Sequence, residues 1–236
     1  MKKIMLAFCI SLLTLTSVAQ DEKHEVNSEV KELTAFHTVI YKLWHTAWPQ
    51  KDVGMLQSLL PEIEKGTQNI VAANLPGILR EKKDRWDNGI AELIKCVDDY
   101  KTASVKNDSL GLLQSAEKLH SQYEKLVRII RPVIKEVDQF HQELYLVYHY
   151  YMPANNYEKI LNSAKVLETK VDELKKARLP GKLSSKKSDF DRAALELEAS
   201  VKKLNEAVTQ KNESKIIKEA VVLVHTKYQE LEKIFD

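Results

Sequence analysis

The chain is poor in helix-breaking residues and in cross-linking ones. Its 236 residues include six glycines, six prolines and two cysteines. Scarce Gly and Pro, beside abundant Ala, Leu, Lys and Glu, fit a helical protein, and no strand-like alternation runs long enough to compete. Cys9 falls in an apolar leader at the N-terminus, which leaves Cys96 alone and excludes an internal disulfide, so stability must come from packing. Charge of one sign is also lacking. There are 36 basic and 34 acidic residues, and without the two leader lysines the balance is 34 to 34. That composition carries no electrostatic footprint for nucleic acid; the interleaved lysines and acids read as solvated helix faces. No G-x-S-x-G, P-loop, H-E-x-x-H or paired-carboxylate motif is present. Nothing points to nucleophilic catalysis, and the expectation is a protein that is not an enzyme.

The one sustained apolar run lies at the start. Lys2 and Lys3 precede an apolar stretch from Ile4 to about Leu15, and Ser17-Val18-Ala19 places small residues at a cleavage site. The run is too short to span a bilayer, which takes ~20 such residues. It reads as a signal peptide over residues 1–19 with a mature start at Gln20. Cys9 sits inside the apolar region, which argues against a lipid anchor. The expectation is a periplasmic or secreted protein, with no membrane insertion once the signal is removed.

What the sequence does contain is self-similarity. A shift of 104 residues lays Phe36-His37 on Phe140-His141, Tyr41 on Tyr145, His45 on His149 and Pro49 on Pro153. It carries Leu75-Pro76-Gly77 onto Leu179-Pro180-Gly181 and Trp86-Asp87 onto Phe190-Asp191. After one inserted residue, His120-x-x-Tyr123 meets His225-x-x-Tyr228. Correspondence over a whole unit predicts a tandem repeat, with a first four-helix unit over 20–131 and a second over 132–236.

Each unit divides into four helical stretches, expected near 24–48, 52–74, 84–105 and 109–131, then 133–152, 155–178, 185–210 and 213–235. Pro49 and Pro153 end the first helices, and Leu-Pro-Gly marks a turn in which Gly permits positive φ. Pro132 marks the junction of the units. Asn107-Asp108-Ser109 and Asn212-Glu213-Ser214 offer N-caps. Pro61 is expected to kink the second helix, whereas its counterpart Lys165 is not. On the first helix Val26, Val30, Leu33, His37, Ile40, Tyr41, Trp44 and Trp48 form the predicted apolar face, and on the last Ile217, Val221, Val224, Tyr228, Leu231 and Phe235. Short connections favour antiparallel neighbours. The predicted fold class is therefore all-α, as two tandem up-down-up-down four-helix bundles from an internal duplication.

The histidines are the sharpest functional signal. His24 has no counterpart, but the other six form matched pairs, His37/His141, His45/His149 and His120/His225. At ~1.5 Å rise per residue, His37 and His120 fall at the same level on helices one and four, as do His141 and His225. Facing imidazoles between bundle helices suit a divalent transition metal such as zinc or copper. Glu64 and Glu168, at a similar level on the second helices, are the candidate carboxylate ligands, with Tyr41 and Tyr123 positioned to orient the imidazoles. Glu92 and Glu196 point outward, and His45 is too far round the helix to join His37 unless the helix is broken.

The competing interpretation is packing, in which half-buried histidines bond to tyrosines and carboxylates in an aromatic-rich core and bind nothing. Haem of the b type is a weaker alternative: no C-x-x-C-H allows covalent attachment, and the Trp- and Tyr-rich faces leave little room. The sequence thus predicts an exported helical-bundle binding protein, with one metal between helices one and four of each unit. The alternative is a structural or interaction module without cofactor, holding an unidentified protein or small ligand on its helical surfaces.

Overall fold

The computed structural model describes residues 25–131 and 134–235; the leader segment, His24 and Pro132 lie outside them. Every regular element among the described residues is helical, and nine are α-helices. The chain forms two compact units. One is Asn27–Arg131; the other gathers the described residues after Arg131 together with Glu25 and Val26.

In the first unit α1 (Lys31–Lys42), α2 (Val53–Ser58), α3 (Leu60–Ala72), α4 (Lys83–Val105) and α5 (Ser109–Ile130) follow in order. The second holds α6 (Lys135–Leu146), α7 (Tyr157–Lys175), α8 (Lys187–Thr209) and α9 (Ser214–Glu232). In the first, α1 packs on α3, α3 on α4, α4 on α5, and α5 returns to α1. In the second, α6 packs on α7, α7 on α8, α8 on α9, and α9 on α6. No helix among the described residues is long and apolar enough to cross a membrane.

The ends of the elements follow local chemistry. Asp52, Asp108 and Asn156 cap α2, α5 and α7, each side chain accepting from the amide three residues on. Glu213 stands at the corresponding place before α9 and makes no side-chain cap. Positive φ occurs at Lys51, Asn107, Asn155 and Lys211, each in the turn before a capped or N-terminal helix start. The Leu-Pro-Gly turns differ from expectation, because neither Gly77 nor Gly181 has positive φ. Each opens a short 3₁₀ turn, Gly77–Lys82 and Gly181–Lys186, after an extended proline. α1 and α6 pass into single π-helical turns, Leu43–Ala47 and Val147–Tyr151. There the amides of Trp48 and Met152 reach back five residues, to Leu43 and Val147, just before Pro49 and Pro153, which have no N–H to continue the ladder.

The core sits on a narrower stripe than the one expected. α1 starts at Lys31, so Val26 and Val30 precede it, and its buried run is Leu33, Phe36, Ile40, then Leu43 and Ala47 in the π turn. This 3–4 spacing rotates the core face toward Phe36 and leaves His37 and Tyr41 on its outer flank. On α9 the expected residues Ile217, Val221, Val224, Tyr228 and Leu231 are buried, with Phe235 half-buried beyond them. Burying each such large side chain contributes ~1.5–3 kcal/mol.

The units differ at the second helix. In the first it is broken at Leu59, with Pro61 at the start of α3, whereas α7, carrying Lys165, is continuous. The phenol of fully buried Tyr100 on α4 donates to the Leu56 carbonyl at 2.7 Å beside the break. At the matching places in the second unit are Ile160 and Leu204, both buried. Gly66 allows a close approach as well: a Cβ there would stand 2.2 Å from the Phe36 ring. One residue on, the Thr67 hydroxyl is buried with no hydrogen-bond partner among the described residues, where the second unit has buried Val171.

Two substitutions should therefore shift the urea-denaturation midpoint at pH 7.5 in opposite directions. Thr67→Val should stabilise the first unit by about 1 kcal/mol, because the unsatisfied hydroxyl is removed at nearly constant shape. Tyr100→Phe should destabilise it by about 1–2 kcal/mol, because the Leu56 carbonyl loses its buried donor.

Candidate functional site

The seam between the first and last helices of each unit carries the chemistry. In the first unit α1 and its π turn present His37, Tyr41, Trp44, His45 and Trp48, and α5 presents His120 and Tyr123. His37, Tyr41 and His45 form a ladder at intervals of four, with ring centres 6.2 and 4.7 Å apart. The second unit repeats it, with His141 to Tyr145 at 6.3 Å and Tyr145 to His149 at 4.6 Å. Such spacing places the rings on one face of each helix.

The last helix answers with aromatic stacking. Tyr123 stacks on His37 at 5.9 Å, and Tyr228 on His141 at 4.5 Å. His120 lies nearly parallel to Trp44 at 4.1 Å, and His225 to Tyr148 at 3.9 Å. Trp44 also meets Trp48 at 4.4 Å, and the Trp48 indole donates to the Leu113 carbonyl on α5 at 3.1 Å. Beneath this layer Phe36 meets Tyr123 and Phe140 meets Tyr228, each at 6.0 Å.

Across the seam the histidines expected to pair each meet an aromatic ring. His37 and His120 each stack on an aromatic of the opposite helix, and so do His141 and His225. His149 and His225 come ring to ring, 6.2 Å apart and perpendicular. In the first unit the matching pair is His45 and His120, close enough for His45's charge to bear on His120. His45 and His149 both lie within the π turns.

The carboxylates sit elsewhere. Glu64 accepts from Lys101 at 2.8 Å, and Glu168 from the Asn205 amide at 2.8 Å. Both lie on the flank that meets the third long helix, α4 or α8, rather than on the seam. Their level along the helix was legible, but each follows a core position (Ile63, Leu167) and is turned ~100° away from it. Glu196 is exposed, its acidity strengthened by its bond to Lys227. Among the described residues no three of His, Cys, Asp or Glu converge as a ready-made metal site.

Burial separates the two seams. His37 and His45 are exposed and Tyr41 is 54% exposed, whereas Tyr145 is 1% exposed and His225 8%. The Tyr145 hydroxyl donates to the Glu25 carboxylate at 3.0 Å. Burial holds His120 below the ordinary histidine range; a charged His45 adds to that and Glu124 opposes it. Away from the seam, burial first and then Asp99 and Glu92 push the Cys96 thiol up, which keeps it a poor nucleophile. Compared with family models, curated proteins and solved structures, the chain gives no match, so the chemistry rests on its own residues.

His120 gives the seam a pH dependence of definite sign. Its folded pKa lies below the unfolded value of about 6.5, so the unfolded chain binds more protons in the interval between them. Stability is then greatest above pH ~6.5 and declines as the pH falls through that interval. Urea midpoints at pH 7.5 and 5.5 should differ by less in His120→Gln than in the parent chain. An equal pH difference in the two would mean that His120 does not contribute to it.

Proposed function

We propose that the chain is an exported binding protein of two tandem four-helix bundles that arose by internal duplication, and that each bundle binds one divalent transition ion at its helix one–helix four seam. Duplication is supported by the matching element starts: Lys31 and Lys135, Leu43 and Val147, Gly77 and Gly181, Lys83 and Lys187 are each 104 residues apart. Export is supported by the charged, apolar and small-residue succession of residues 1–19. A binding role rather than catalysis accords with the absence of any nucleophile–base motif in the sequence.

The observation that carries the metal reading is the His149–His225 approach at 6.2 Å in the second seam, with His45 and His120 at the matching positions of the first. At a tetrahedral angle, two Zn–N bonds of ~2.0–2.1 Å with the half-widths of two imidazoles set the ring centres about 5 Å apart, so the rings close by about 1 Å on the ion. The ligand pairs are then His45/His120 and His149/His225, with His37 and His141 flanking them and Glu64 and Glu168 uninvolved. With two protein ligands per ion, water completes the shell. Stacking on Trp44 and Tyr148 fixes the plane of the α5 and α9 imidazoles, as outer partners do in metal sites.

Metal analysis and zinc or copper titration of untagged protein test this directly. About two ions per chain are expected. The double variant His120→Ala, His225→Ala should lose both, and His37→Ala, His141→Ala should keep both. A chain that stays metal-free through both titrations would leave the cofactor-free interaction module as the function.

A further inference from the structure

The two ladders share one design and differ in what meets them. In the second unit the central phenol, Tyr145, is 1% exposed and donates to the Glu25 carboxylate. In the first unit the equivalent phenol, Tyr41, is 54% exposed, between exposed His37 and His45. Ring spacings along the two ladders agree within 0.1 Å, 6.2 and 4.7 Å against 6.3 and 4.6 Å. A surface that in one copy receives a glutamate-bearing segment is thus presented open in the other.

We propose that the His37–Tyr41–His45 ladder is a docking site for an acidic chain segment of a partner protein, whose carboxylate accepts from the Tyr41 hydroxyl as Glu25 does from Tyr145. The chemistry of the face suits an anion. Tyr41 supplies a hydroxyl donor and the two imidazoles supply N–H groups. The charges beside Tyr123, the ring stacked on His37, are Glu124 and then Arg131, which act on its ionisation in opposite directions, so the face offers neutral donors rather than net charge. A hydroxyl-to-carboxylate bond is charge-assisted and stronger than a neutral one. The exposed ring faces add apolar contact for the residues beside the carboxylate. A second copy of this chain is the poorer occupant, because its own Glu25 is already engaged within the same molecule at high effective concentration.

The chain supplies its own probe. Residues 20–29 contain Asp21, Glu22, Glu25 and Glu29 against one lysine, Lys23. A fluorescein-labelled peptide of that sequence is titrated with the full chain, with anisotropy as the readout and EDTA present, so that the outcome does not depend on metal. Saturable binding is expected. Tyr41→Phe, which keeps the ring at an exposed position, should weaken it about tenfold, as should Glu25→Gln in the peptide. Tyr145→Phe should leave it within about twofold. No saturable binding, or binding that Tyr41→Phe leaves unchanged, overturns the proposal, as does binding that depends on Tyr145 instead. Failure here leaves the ion stoichiometry untouched, and failure of the metal reading leaves peptide binding untouched.

Discussion

The contact on which the rest depends is the buried phenylalanine–tyrosine pair at each seam, Phe36 with Tyr123 and Phe140 with Tyr228. Sequence neighbours among the helices meet through short connections, but α5 must come back to α1, and α9 to α6, across the whole length of a unit. With Cys96 free, that return is held without a disulfide, mainly by apolar burial, with the Trp48–Leu113 hydrogen bond beside it in the first unit. The aromatic pair supplies large area at the one interface that connectivity does not supply. It also fixes rotation. With Phe36 inward, His37 is turned outward by one residue, and the tyrosine that closes the core also stacks on that histidine. The histidine layer is thus a consequence of how the core is closed.

Differences between the units show the same core solved twice. Where the first unit has Pro61, the helix breaks, and Tyr100 reaches the Leu56 carbonyl beside the break. Where the second has Lys165, the helix continues and Leu204 packs without a polar group. Gly66 admits the Phe36 ring closely, while the matching position carries Lys170 on a continuous helix. Thr67 against Val171 is the exception, since no bond satisfies the hydroxyl among the described residues. These substitutions cluster on the second helix, with Tyr100 on the next. The ladder recurs with nearly the same spacing in both units, while the stacking of the last-helix tyrosine on it differs, 5.9 Å for Tyr123 on His37 against 4.5 Å for Tyr228 on His141.

The π turns join fold to chemistry. His45 and His149 lie within them, and His149 comes ring to ring with His225 on the last helix. The turn stands immediately before a proline in both units, where the hydrogen-bond ladder must end in any case, so widening it there sacrifices little.

Much of the architecture was legible from residues alone. Helical periodicity, the prolines, the 104-residue correspondence and the Asp108 cap predicted where most helices lie, because these are local signals. The levels of the histidines along their helices were legible for the same reason, since rise per residue is constant. Azimuth was not. Whether Phe36 or His37 faces inward is decided by which ring packs better against Tyr123, and that is a property of two helices together. The π turns, the outward lean of Glu64 and Glu168, and the cover that Glu25 gives Tyr145 belong to the same class. Chain-local chemistry determined the helices and their ends; packing between helices that are distant in sequence decided which side chains meet, because rotation about a helix axis costs nothing until a second helix is there to resist it.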